Sequence, residues 1–370
     1  MAVSTALLGT TQVLAVKKGA SWGTSAAVMG AGDGMSYLSG VANHSAPVYI
    51  DDSRGQVYSM DGFLGPVTCA PKYSYFLRHN SSLKVAPDLL IALFMGSATS
   101  VLAATPAYTN TYKFAKDTSG LFASIARGVM KLDGTFAYVE DVPSAQVVGL
   151  TITGEAGPKP LTVEVECLGT NKIVDDSGVN KTSTITNVTM AETANGVNWS
   201  QLVFRLRSRD GTALSAGDKI YPSKWTLSMK RPMKGDYTGQ VHTVQVTGGP
   251  LPQDVIDAPS NSDMPDLSLT LEFPIHADNS RLAAQLKDTR YKLDITATGA
   301  LITGTTYYQQ LWQFPHLQLM TVNPTDDNNR LKETLTFKIH GLSAATADMP
   351  GIAEPLWWTM INKLATSALT

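Results

Sequence analysis

The residues that could carry chemistry are few and scattered. Six histidines, His44, His79, His242, His276, His316 and His340, form no HExxH pair and no Cys/His cluster, so their spacing offers a metal no tetrahedral site. The carboxylate pairs Asp51-Asp52, Asp175-Asp176 and Asp326-Asp327 stand in turn-forming contexts and read as solvated turn residues before acid/base dyads. GAGDG at 30–34 lacks the full GxGxxG spacing and the strand and helix that should flank it, so it reads as a turn and not a phosphate cradle. No GxSxG elbow occurs. Cys69 and Cys167 lie among apolar neighbours and read as buried thiols. MKRPMK at 229–234 is a local basic cluster, expected to be a solvent-facing edge that discourages wrong strand pairing. The expectation is a chain without catalytic, cofactor-binding or metal-binding residues, which acts through surfaces.

The scaffold under those residues is mainly β. Runs at 46–50, 67–77, 121–126, 135–140, 161–168, 184–190, 201–207, 225–229, 241–247, 267–273, 291–298 and 333–339 alternate β-branched or aromatic residues with polar ones, between Gly, Pro, Asn or Asp. Two short helices are expected. One covers 87–95, with Pro87 in its first turn and Gly96 to stop it; the other covers 281–287, after Asp278-Asn279-Ser280. Residues 170–200 are polar and read as a linker or long hairpin, and 248–266, with four prolines, as an extended loop. LWWTMIN at 356–362 fits a helix stripe and a strand face equally.

One pattern recurs. DVPSAQVVGLTITGEAGPKPLTVEVECLG at 141–169 lies over QFPHLQLMTVNPTDDNNRLKETLTFKIHG at 313–341 without a gap, so Pro143 meets Pro315 and Gly169 meets Gly341 at an offset of 172 (315−143). Identity is slight, but Val163, Val165 and Cys167 match Leu335, Phe337 and Ile339 in period-2 alternation. AGDGM at 31–35 resembles AGDKI at 216–220 (offset 185), Leu89 and Leu93 match Leu282 and Leu286 (offset 193), and FASIARG at 122–128 lies over LDITATG at 293–299 (offset 171). Four matches in one order describe two tandem units. The first, 1–170, carries an insertion near 97–117; residues 171–200 connect it to the second, 201–370.

Composition narrows the partners. Charged residues make up only 16% against 43% apolar, below the roughly 25% charged usual in soluble domains, which implies much surface buried against copies of the same chain. The bland alternative is a Ser/Thr-rich solvated surface. A net charge of −2 argues against sequence-specific nucleic-acid binding. The lysines of MAVSTALLGTTQVLAVKKG follow the apolar stretch, the wrong polarity for a signal peptide, and no run approaches the length of a membrane span.

KKGASWGT (17–24), the AGD turn, SGLFASIARG (119–128), VPSAQVVGLTITGEAG (142–157), KGDYTG (234–239), VIDAP (255–259) and LSLTLEFP (267–274) resemble the tail tube (major tail) proteins of long-tailed bacteriophages, across about Val16 to Asn362. The resemblance implies a β-sandwich or half-barrel flanked by a short α-helix in each unit, whose inner sheet joins those of its neighbours. It implies a virion protein, assembled in the host cytoplasm, that stacks as rings into a conduit for genome and tape-measure protein, without specific DNA binding, cofactor or membrane. It also makes 356–362 a strand. Two units per chain suggest a ring of three chains with pseudo-sixfold symmetry, the alternative being six chains. The insertion should then protrude as a loop or hairpin toward a neighbouring subunit or ring. The competing function is a tandem β-sandwich binding module for capsid decoration or a host glycan, with Trp357-Trp358 as the sugar platform.

Overall fold

The computed structural model describes residues 12–20, 22, 28–45, 48–51, 60–64, 68–79, 86–130, 136–170, 173–175, 185, 188–190, 195–234, 237–238, 254–255, 260–261, 263–327 and 330–369. The protein is mainly β, with two α-helices among these residues and one large sheet whose pairings are antiparallel but for one short contact. The N-terminal set of strands is β1 (Gln12–Lys18), β2 (Ala31–Met35), β3 (Ser39–Ser45), β4 (Thr68–Phe76), β5 (Gly96–Ala104), β6 (Ala107–Phe114), β7 (Ala123–Met130), β8 (Phe136–Glu155), β9 (Thr162–Gly169) and β10 (Ile173–Asp175). Helix α1 (Ala86–Met95) precedes β5. The C-terminal set is β11 (Leu202–Ser208), β12 (Lys219–Ile220), β13 (Lys224–Lys230), β14 (Asp266–Phe273), β15 (Arg290–Thr303), β16 (Thr306–Asp327), β17 (Arg330–Ile339) and β18 (Trp357–Asn362). Helix α2 (Ser280–Leu286) lies between β14 and β15. Further short strands carry no label.

Alternation places the core. Val163, Val165 and Cys167 of β9 and Leu335, Phe337 and Ile339 of β17 are buried while their neighbours are half exposed. Trp225, Leu227 and Met229 of β13 and Leu267, Leu269, Leu271 and Phe273 of β14 follow the same rule. Each such side chain contributes about 1.5–3 kcal/mol by leaving water. Helix α1 ends at Gly96, whose φ of +82° is the left-handed stop that glycine tolerates. All ten α1 residues are buried, so α1 fills the interior, as a helix too short to stand alone must.

The two sets pair in one order. In the N-terminal set it runs β2-β1-β7-β8-β9-β4-β3. In the C-terminal set it runs β12-β11-β15-β16-β17-β14-β13. An irregularity recurs with it. The register of β8 on β9 slips between Val147 and Gly149, and that of β16 on β17 between Leu319 and Thr321, 172 positions on (319−147). β10 lies along the first part of β8 as β18 lies along the first part of β16. Among the described residues the pairings followed strand by strand never return to the starting strand, so edges remain there.

Several expectations change. Residues 31–35 form a strand, not a turn, although Ala216–Asp218 does form a 3-10 turn capped by Ser215. Residues 357–362 are a strand. The insertion forms the β5–β6 hairpin; β6 pairs with β18 of its own chain from Lys113–Trp357 to Tyr108–Asn362, while β5 is the outer strand, with Val101 and Leu102 exposed. The backbone edge of β6 finds its partner in β18. Asp51, Asp175, Asp326 and Asp327 lie in strands, at or near their ends, and not in turns. The strand expected at 241–247 lies outside the described residues, as do 184, 186 and 187 and most of 248–266; Thr189–Met190 is a strand.

One hydrophobic cluster runs through both sets. At its centre Trp225, Trp312 and Trp358 are fully buried, with ring centroids 5.5 Å and 5.3 Å apart in succession. They tie β13, β16 and β18 together. Trp312→Ala should lower stability by about 3–5 kcal/mol in urea unfolding. A loss under about 1 kcal/mol would show that the tryptophan cluster does not hold β13, β16 and β18 together.

Candidate functional site

The surface most able to act is a seam between strands. β13 pairs with β14 on one edge and with β8 on the other, so the sheet of the C-terminal set continues into that of the N-terminal set. The register runs from Gly149 opposite Lys230 to Glu155 opposite Lys224. Gly154 faces Trp225, and a Cβ there would stand 2.6 Å from the indole Nε1 and 2.3 Å from Leu161 Cδ2. Only a glycine lets the indole lie on the strand.

Arg231 follows β13 directly and pins the seam. Its backbone N–H donates to Val148 O at 2.7 Å, its Nε to Phe94 O at 2.9 Å and its Nη2 to Ala115 O at 2.8 Å. Its guanidinium lies 3.8 Å from the Phe114 ring centroid. A cation at the C-terminal end of α1 satisfies carbonyls that have no intrahelical donor and complements the helix dipole. Burial pulls the guanidinium pKa down to about 10, so it stays charged at neutral pH. The basic cluster therefore corrects its expectation, since Arg231 is 1% exposed. Its signal was the placement between apolar Met229 and Met233, not its charge.

Among the described residues the counterparts of these seam edges are open. β3 corresponds to β13 in the pairing order, and among those residues it pairs with β4 alone. The last part of β16, 321–327, corresponds to 149–155 of β8, and among the same residues it pairs with β17 alone.

The chemistry-bearing residues do not gather. His79 Nε2 meets Gln201 Oε1 at 3.1 Å, His276 lies 3.6 Å from Glu333, and His316 and His340 stack with centroids 5.4 Å apart. His44 lies in β3, and His242 is outside the described residues. Cys69 and Cys167 are both buried and form no disulfide; burial pushes the Cys167 thiol up, away from the reactive thiolate. The fully buried Lys292 holds Asp348 at 2.8 Å, and Glu333 holds Arg281 at 2.7 Å. Among the described residues no cluster of three His, Cys, Asp or Glu could hold a metal, and no helix is long and apolar enough to cross a membrane. Trp358 is buried with its Nε1 on Gln310 at 2.7 Å, while Trp357 donates to Glu354 at 2.6 Å beneath the Lys113 ammonium. The two rings point to opposite faces of β18, so they make no common platform for a sugar.

No protein-family model matches the sequence, and no curated protein matches it.

Arg231→Met should cost about 2–4 kcal/mol, because the carbonyls of Phe94 and Ala115 lose a buried charged donor. Lys230→Met, one residue away and exposed, should stay within about 0.5 kcal/mol in the same denaturation assay. Equal losses would remove Arg231 from the seam. Burial, then Arg209, holds the pKa of His316 down at about 4, and burial also lowers His340. Unfolded histidines bind protons from about pH 6.5, so the unfolded state gains protons first and stability falls as pH drops from there toward 4. His316→Phe should flatten that part of a Tm-against-pH profile. An unchanged slope would place the acid sensitivity elsewhere.

Proposed function

We propose that this chain is a non-enzymatic virion structural protein, built of two tandem tail-tube-like β domains, that self-assembles into stacked rings forming a phage tail tube. One observation carries the reading: a single strand order occurs twice and the two copies join head to tail by strand pairing. A head-to-tail contact has one patch left over at each end, and repeating it either closes a ring or builds a filament. A binding module acting alone has no need of such ends. The low charged fraction, 16%, fits a chain that covers much of its surface with copies of itself. The slightly acidic net charge of −2 fits a conduit that lets DNA pass without holding it.

Two domains per chain make three chains sufficient for six tube units. Within one chain the contact between domains would then stand for the contact between chains. Tape-measure protein and genome occupy the lumen, and the tail is assembled in the host cytoplasm. The decoration or glycan-binding alternative loses its best feature, because Trp357 and Trp358 are each engaged with the protein's own side chains.

Negative-stain and symmetry-resolved electron microscopy of the purified protein should show threefold rings with six similar lobes, stacking into tubes. Sixfold rings with twelve lobes would overturn the three-chain arrangement. Monodisperse single chains at every concentration would overturn the tube.

A further inference from the structure

The internal seam specifies its own continuation in atomic register. The matching slips put Leu150 of β8 and Val322 of β16 at the same place, 172 positions apart (322−150), and they pair with Val165 and Leu335. Val165 pairs with Tyr73, which pairs with Gly40 of β3; Leu335 pairs with Leu271, which pairs with Trp225 of β13, so Gly40 and Trp225 hold the same place in the two sets. Trp225 faces Gly154 across the seam, and 172 residues beyond Gly154 stands Asp326. We propose that residues 321–327 of β16 pair antiparallel with β3 of a second copy of this chain, with Val322 opposite His44, Pro324 opposite Ala42 and Asp326 opposite Gly40. This rests on the tube reading and adds to it the edges and the register.

Three observations support that occupant over water. The first is the backbone. Val148 O accepts from Arg231 N, and Ala156 N donates to Ser223 O, so the even-numbered residues of β8 turn their backbone groups toward the seam. Their counterparts Val322, Pro324 and Asp326 turn the same groups to an edge with no strand on it among the described residues. The second is apolar exposure beside that edge. Leu282 and Leu286 of α2 are 37% and 82% exposed and Met320 is 48% exposed, whereas Leu89 and Leu93, which match them in α1, are buried. Gln285 Nε2 donates to Met320 O, so α2 sits at the head of the open edge, as α1 sits at the head of the internal seam beside Arg231. The third lies at β3. Leu38, just before it, and Val41, within it, are 49% and 41% exposed.

Pro324 is the one mismatch in the ladder. It has no N–H for the Ala42 carbonyl of the second copy. A proline on an open edge also discourages indiscriminate strand addition. The intermolecular seam is therefore weaker than the internal one.

The test uses the intact chain. Val41 and Thr325 are exposed and fall opposite each other at a position without ladder hydrogen bonds, where side chains approach most closely. The double variant Val41→Cys, Thr325→Cys, mildly oxidised, should run as a ladder of covalent multimers on a denaturing non-reducing gel. Either single variant should stay a single chain, and so should the out-of-register pair Val41→Cys, Thr321→Cys. No ladder from the matched pair, or an equal ladder from the control, overturns the register. Microscopy of the same sample separates the two claims. Rings without cross-links sink the seam and leave the tube, while cross-links without rings or tubes sink the tube and leave the seam. Pro324→Ile, which restores the donor, should lower the concentration needed for assembly about fivefold, the worth of one hydrogen bond. Unchanged or weaker assembly would contradict the register.

Discussion

A strand edge is a row of unpaired N–H and C=O groups, and a protein must pair them, cover them or blunt them. β13 meets that constraint by taking a partner on each edge, β14 from its own set and β8 from the other. The rest of the structure depends on this arrangement. Trp225 can join Trp312 and Trp358 in one cluster because β13 is clamped between β8 and β14. Arg231 reaches the end of α1 because the same strand delivers it there.

The two sets share a pairing order but differ in what fills it. On the internal seam Gly154 receives the Trp225 ring, Arg231 pins the helix end, and the β5–β6 hairpin crosses over to pair with β18. At the matching positions outside stand Asp326, Gly40 and Pro324, and α2 runs straight into β15 with no hairpin. The internal contact is built to be permanent. The proposed outer contact has less apolar area and one hydrogen bond fewer, as suits a surface that must wait for its partner and remain soluble meanwhile.

The β class and both helices were legible because each rests on side-chain period, and so was the recurring strand order, although β17 pairs two positions away from its gapless match to β9. Val163, Val165 and Cys167 announce a half-buried strand, and Pro87 and Gly96 bracket α1. The length of β8 and β16 was not legible. Pro143 and Pro315 interrupt the alternation and suggest breaks, whereas each proline sits where a long strand changes its neighbours, with the register slipping between Val142 and Ala145. Nor could the seam be read. Backbone donors and acceptors are the same for every residue but proline, so nothing in KWTLSMK says that it pairs on both edges. Arg231 was hidden for a related reason: in a basic run its charge suggests solvent, and the carbonyls that make burial affordable come from residues 94 and 115, far away in sequence.

The central claim is that one seam is made twice, once inside the chain and once between chains. Amide hydrogen exchange of the intact protein, dilute and then assembled, addresses both at once. Residues 149–155 and 224–230 should exchange slowly in both states, while the amides that face the open edges, those of Val322 and Asp326 and of Gly40, Ala42 and His44, exchange fast in the dilute chain and slow on assembly. Fast exchange at Val322 and Asp326 in assembled particles, or slow exchange there in the dilute chain, would contradict the account.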